Sequence, residues 1–367
     1  MRRSCLAALM LVVALGTRDA AFGDEPTADT GFAGNIVASP GLDAFVVRGQ
    51  QPPACVNPTG CATGCNAACD PTWKVYGEFL YLRPGNDKVA FAVPINGAIV
   101  PPVGAPPVQV GPEVLVDLGF TPGVRVGAER AYGCQSALGG QFTWFEGART
   151  NDSAVTPPIV LRSLVNHPGS LSAATDSLAA NATSIISFQL ADAFYRRYLI
   201  RDETRELSFV GGARYAHLDE TFRSTFTSAA TVETVNTNIA FDGGGIRLGL
   251  EAEQRASFSQ VLVYAKGYAS FVGGQFAGRY VQADGQRGVV VDTGWTEDRA
   301  VSILDTELGI GWITRNGIRI TGGYMFSGWF NLINTDDFIR AVRRLDSVNV
   351  RDSLSFDGFV VRAEARF

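Results

Sequence analysis

From Trp73 onward, apolar and polar side chains alternate with a period of two, in segments of about 12 to 16 residues parted by connections that hold Gly, Pro and Asn. Alternation of this kind puts successive side chains on opposite faces of a strand. A tilted strand needs only about 9 to 11 residues to cross a bilayer, so each segment is long enough to span. The charged residues fall on one face and the aliphatic and aromatic ones on the other. That is the pattern of a barrel with lipid outside and polar groups within. The clearest case is the last segment, where Phe359, Val361, Ala363, Ala365 and Phe367 alternate with Val360, Arg362, Glu364 and Arg366.

Nine further segments follow the same rule or bend it. Trp73, Val75, Gly77, Phe79 and Tyr81 oppose Lys74, Tyr76 and Glu78; Val124, Val126 and Ala128 oppose Arg125 and Glu129; Leu138, Phe142 and Trp144 oppose Gln141 and Thr143. Leu207, Phe209 and Tyr215 oppose Ser208 and Arg214, and Ile246, Leu248 and Leu250 oppose Arg247 and Glu251. Val263, Ala265 and Phe271 oppose Lys266; Leu304, Leu308, Ile310 and Trp312 oppose Asp305 and Glu307; Ile318, Ile320, Tyr324 and Phe326 oppose Arg319 and Thr321. In 185–200, Phe188 and Leu190 share a phase that Asp192 breaks, which suggests a bulge.

The connections alternate in length. Long gaps at 84–119, 147–184, 219–238, 273–298 and 331–352 are separated by Gly133, by 201–203, by 254–257 and by Arg315-Asn316. Short turns on the periplasmic side and long loops outside characterise outer-membrane barrels, and Asn316-Gly317 is a hairpin signal. The expected fold is therefore all-β: an antiparallel transmembrane barrel of about ten strands. Twelve is the alternative if 221–228 and 274–283 form strands of their own.

The segment before the barrel sets the compartment. Arg2 and Arg3 precede an apolar run from Leu6 to Leu15, and Ala21-Phe22-Gly23 supplies small residues for cleavage. Residues 1–23 read as a signal peptide, with Cys5 too early to carry a lipid. Without them the chain keeps 28 basic and 35 acidic side chains, a charge of −7, which disfavours nucleic acid as a partner. Residues 24–72 lack periodicity and form an N-terminal extension with Cys55, Cys61, Cys65 and Cys69. Disulfides are the default in an exported chain, with three pairings open; the spacing lacks the paired knuckles of a zinc site. Cys134 is left over as a buried or unpaired thiol.

The stretches Gly77-Glu78-Phe79-Leu80-Tyr81-Leu82-Arg83, Val89-Ala90-Phe91-Ala92, Pro122-Gly123-Val124-Arg125-Val126-Gly127 and Phe142-Thr143-Trp144-Phe145-Glu146 have a familiar look. With Gly211-Gly212-Ala213-Arg214-Tyr215 and Gly244-Gly245-Ile246-Arg247-Leu248-Gly249-Leu250-Glu251, they resemble the Legionella-type pore-forming major outer-membrane protein family over 73–367. The resemblance implies a pore-forming barrel with no catalytic residues to transfer. The cysteine-bearing extension lies outside it.

Chemistry-bearing side chains are few. His217, near Asp219 and Glu220, and His167, in a Pro/Gly/Ser loop, read as surface histidines, so no enzyme, cofactor or metal is expected. The weight falls on the charges phased inward: Lys74, Arg125, Arg214, Arg247, Lys266, Arg319, Arg362 and Arg366 against Glu78, Glu129, Glu251, Asp305, Glu307 and Glu364. In an aqueous lumen they would set a weak anion preference; in a narrow barrel they would pair and close it. Two functions follow. The first is a porin-like outer-membrane protein passing small polar solutes or ions; the alternative is a closed structural or surface-interaction barrel. Expected partners are outer-membrane lipid, lipopolysaccharide phosphates beneath a basic helix around 336–344, and the barrel-assembly machinery, through the strand ending at Phe367. The apolar loop from Val93 to Pro112 is a candidate constriction.

Overall fold

The computed structural model describes residues 72–97, 107–133, 135–170, 177–256, 260–314, 317–346 and 351–367. The expected signal segment, the four extension cysteines, Cys134 and Asn316 lie outside them. Thirteen strands and one helix are formed among the described residues. Ten strands close a barrel: β1 (Trp73–Gly85), β4 (Thr121–Tyr132), β5 (Ser136–Ala154), β7 (Ala179–Arg201), β8 (Arg205–Thr227), β9 (Val232–Arg255), β10 (Val261–Asp284), β11 (Gly288–Ile313), β12 (Arg319–Leu332) and β13 (Asp352–Arg366). Every neighbouring pair is antiparallel, and β1 against β13 shuts the ring with Lys74 opposite Arg366 and Gly85 opposite Ser355. Closure leaves no edge in the lipid zone, which is what a bilayer demands of a sheet.

Strand count stays at ten because residues 221–228 and 274–283 prolong β8 and β10 instead of forming new strands. The gaps 219–238 and 273–298 are thus not loops but the upper arms of hairpins, turning between Thr227 and Val232 and between Asp284 and Gly288. The barrel is lopsided as a result. Strands β7 to β11 run 23 to 26 residues, whereas β1, β4, β12 and β13 run 12 to 15.

A long stave passes through two solvents, and its sequence records the crossing. On β8 the outward residues are Leu207, Phe209, Gly211, Ala213 and Tyr215, then His217, Asp219, Thr221 and Arg223. The inward ones are Arg214, then Leu218, Phe222 and Phe226, all buried. Lipid favours apolar-out at the turn end; water favours apolar-in at the loop end. Residues 185–200 are explained the same way. Phe188, Leu190 and Asp192 all point inward and are at most 5% exposed, so Asp192 marks the change of interior from aromatic to charged, not a bulge. The only register slip against β8 lies between Tyr198 and Ile200.

The two longest connections are structured. They supply β2 (Val89–Asn96), β3 (Val114–Val116) and β6 (Ile159–Ser163), a three-stranded sheet in the order β3-β2-β6. Helix α1 (Thr335–Arg344) joins them. Asn334 caps it by accepting from the Asp337 N–H at 2.8 Å, acidic residues sit in its first turn and basic ones in its last, and Leu345 ends it in a left-handed conformation. Phe338, Ile339 and Ala341 are buried in the loop-end core. The helix therefore forms where expected but applies its apolar face to the barrel mouth. Of the basic residues, Arg340 pairs with Asp336 at 2.7 Å and Arg343 donates to the Leu164 carbonyl.

Candidate functional site

The barrel interior is built in layers. At the turn end Glu129 accepts from Lys74 (3.0 Å) and Arg196 (3.1 Å), Arg366 meets Glu364 at 2.9 Å, and Arg319 meets Glu253. Above these, Glu78 lies between Arg125 (2.7 Å) and Arg362 (3.3 Å), while Glu307 takes Lys266 at 2.7 Å. Tyr268 donates to Glu251, which also holds Arg196. The guanidinium carbons of Arg362 and Arg247 lie 3.6 and 3.8 Å from the ring centres of Tyr76 and Tyr268, within cation–π range. Higher still, Asp192 accepts from Arg214 (2.7 Å), Arg247 (2.7 Å) and Gln141 (2.8 Å), and Arg214 reaches across to Asp305 at 2.7 Å.

All fourteen charged residues assigned inward from the sequence are placed on the inner surface, and each is within ion-pair distance of an opposite charge. The structure gathers them into paired clusters instead of leaving rings of free charge. Sequence phasing missed Asp192, Arg196 and Glu253. Asp192 and Arg196 were hidden by the apparent break in 185–200; the signal was there in their even numbering, shared with Phe188 and Leu190. With these three, the inward set becomes nine cations and eight anions. Buried pairs of this kind hold only while every partner is present, because each ion has given up its hydration.

The network leaves little open space. A gap lined by Tyr76, Glu78, Arg125, Arg247, Lys266 and Arg362, among others, amounts to about 20 Å³, room for roughly one water. Yet the Nε atoms of Arg247, Arg319 and Arg362 are buried with no acceptor from the protein. Directly above the charges, Phe145, Phe188, Phe356 and Trp329 pack together across the interior. Phe145 stacks on Phe188 at 5.2 Å, and Phe356 meets Phe188 at 4.6 Å and Phe145 at 5.5 Å. Trp329 stands 5.8 Å from Phe188 and donates through Nε1 to Ser327 at 3.1 Å, tying aromatic and polar layers together.

The small sheet and α1 cover this layer. Val89, Phe91, Leu118, Ile333 and Phe338 pack with Phe222, Phe226, Phe241 and Phe276. Polar clasps fix the cover to the tall wall: Tyr280 donates to the Val165 carbonyl at 2.8 Å, the His167 N–H to Gln282 at 2.9 Å, and Asn166 to Glu233, which also accepts from Gln282 within the wall. The candidate constriction from Val93 to Pro112 is partly described. Val93 and Ile95 form a small separate cluster with Val160 at the top of the cover.

The histidines stand apart from the lumen. His217 lies on the outer wall with Nδ1 2.8 Å from Asp242 and Nε2 3.3 Å from Asp219; His167 accepts the Gly169 N–H at 3.1 Å through Nδ1. Among the described residues, no three His, Cys, Asp or Glu side chains are arranged to hold a metal ion.

A family model described as the Legionella pneumophila major outer membrane protein precursor matches residues 67–367. No curated protein sequence matches. Among solved structures, the chain is similar to the outer membrane protease OmpT from Escherichia coli, at 9% identity and a TM-score of 0.45, covering 81% of this chain and 96% of that one. It is also similar to the toluene transporter TodX of Pseudomonas putida, at 9% identity and a TM-score of 0.20, covering 81% and 90%. At these scores neither likeness adds to the case that the closed ten-stranded barrel makes by itself. The family match covers most of the chain and all of the barrel, and on it the chain belongs to the Legionella pneumophila major outer membrane protein family, a family of outer-membrane β-barrels.

Proposed function

We propose that this protein is a porin-like barrel that rests closed, passing small polar solutes or ions when the cover and the aromatic layer give way. The observation that carries the reading is the charged lining of the stretch that lipid surrounds. A barrel serving only as a plug gains nothing from it, since well-packed apolar residues in place of buried ion pairs are often neutral or stabilising by about 1–4 kcal/mol. The guanidinium Nε donors of Arg247, Arg319 and Arg362, buried without protein acceptors, are suited to water or a passing anion. A filled lumen favours the second reading, a closed structural or surface-interaction barrel, because Phe145, Phe188, Trp329 and Phe356 come from the wall itself.

In this reading the protein catalyses nothing and needs no cofactor; both histidines are held in local hydrogen bonds away from the lumen. Residues 1–23 direct export and are then removed, the outward band from Phe79 to Phe359 contacts lipid, and the final strand to Phe367 serves recognition by the assembly machinery. Lipopolysaccharide at the loop end remains part of the proposal.

Single-channel recording of the refolded mature protein tests it. The wild type should open rarely. The Trp329→Ala/Phe356→Ala variant should show frequent ohmic steps, whose ion preference shifts toward cations when Arg319→Glu and Arg362→Glu are added. Silence from every variant, with insertion verified by protease protection, leaves the structural barrel.

A further inference from the structure

Helix α1 is seated on carboxylates. The Thr335 N–H and hydroxyl donate to Glu220 Oε2 at 2.9 and 2.8 Å. Glu220 points inward from β8, five residues beyond Tyr215 and above the lipid-facing band; it is 2% exposed, and its Oε1 is buried with no partner. Asp87, on the connection from β1 to β2, repeats the arrangement. Its Oδ2 accepts from the Leu118 N–H at 2.9 Å while its Oδ1 is buried and unpartnered. Asp352, at the start of β13, accepts from Asn86 and from the capping residue Asn334, and its negative charge acts on Asp337 in the first turn of the helix.

Charged groups reach this seat from four segments besides β8. The helix brings Asp336, Asp337, Arg340 and Arg343; the β1–β2 connection brings Asp87 and Lys88; β13 brings Asp352; and the stretch around β3 brings Glu113 and Asp117. The cations pair with other groups than Glu220: Arg340 with Asp336, Lys88 with Asp117 at 2.9 Å, Arg343 with the Leu164 carbonyl. Burial, with Asp87 and Asp352 nearby, pushes Glu220 up to about 7 against the two Thr335 donors. Burial raises Asp87 to about 6, and burial together with Asp352 raises Asp337 to about 6. Because these values are raised in the seated state, the stabilisation is full at low pH and is lost as pH rises through 6 to 7.

We propose that the seat of α1 is a proton-held latch: a proton on buried Glu220, with the carboxyls clustered beside it, keeps the cover docked on the barrel mouth, and ionisation loosens it. The latch would gate the pore proposed above, and that consequence alone rests on the pore reading.

Hydrogen exchange of the full refolded protein in vesicles, corrected for the intrinsic pH dependence, reads the latch without conductance. Protection of the α1 amides should fall on the order of tenfold between pH 5.5 and 8.5, while that of β12 holds constant. Glu220→Gln should lose most of the slope, and Asp337→Asn, a half-exposed position that puts folding at less risk, should flatten part of it. A flat wild-type profile, or an unchanged slope in both variants, overturns the latch. A working latch in a barrel that never conducts would refute the pore reading alone.

Discussion

Replacing Asp192 by Asn tests whether the charged interior is dry. The carboxylate is 5% exposed and neutralises two guanidiniums at 2.7 Å, those of Arg214 and Arg247. After Asp192→Asn, Arg214 keeps Asp305 at 2.7 Å, while Arg247 is left over the Tyr268 ring with its Nε unpartnered. Removing one partner of a buried pair costs about 3–5 kcal/mol, whereas a solvated pair is worth about 0–1 kcal/mol. The assay is reversible denaturant unfolding in lipid vesicles, followed by tryptophan fluorescence. The network as drawn requires a loss at the upper range, and Asp192→Asn/Arg247→Met should recover much of it, because the stranded charge is gone. A loss below about 1 kcal/mol would refute the dry interior, and with it the claim that these pairs help to shut the lumen.

Two further substitutions probe the wall. Ile310→Arg, at a position 64% exposed on the lipid-facing surface, should cost about 2–4 kcal/mol in a bilayer and little in a polar detergent; equal losses in both media would misplace the band. Gly245→Ala should destabilise by more than an ordinary exposed-strand change, since a Cβ there would stand 1.8 Å from the Phe271 carbonyl oxygen. An unaltered unfolding midpoint would mean that β9 and β10 are spaced more widely than described.

The fold was legible because the lipid-facing half of each stave imposes an alternation too regular to be missed. Phe359 and Arg362, or Ile310 and Glu307, announce their faces without any neighbour. The upper half is harder to read. There the aromatic residues Phe222, Phe226 and Phe276 point inward, so a rule that assigns apolar residues outward inverts their direction and turns strand extensions into loops. Asp192 sits where the two regimes meet, and so it looked like an irregularity. Pairing across the lumen was beyond the sequence altogether, because Arg214 and Asp305 are 91 positions apart and meet only after closure. Nor could spacing foresee that Val89–Asn96 and Thr335–Arg344 would fold over the mouth.

The seam between β1 and β13 carries a consequence for how the molecule is made. The pairings of β4 with β5 and of β7 through β13 join neighbours in the sequence and can form locally, but Lys74 must find Arg366. Contacts of such separation are slow, since loop-closure entropy precedes any reward. Until the last stave is synthesised and delivered, two long edges remain unpaired, and unpaired edges invite aggregation. Ring closure is therefore the step at which an escort would matter most, and the interior network, spread over nearly every stave, can assemble only once that step is complete.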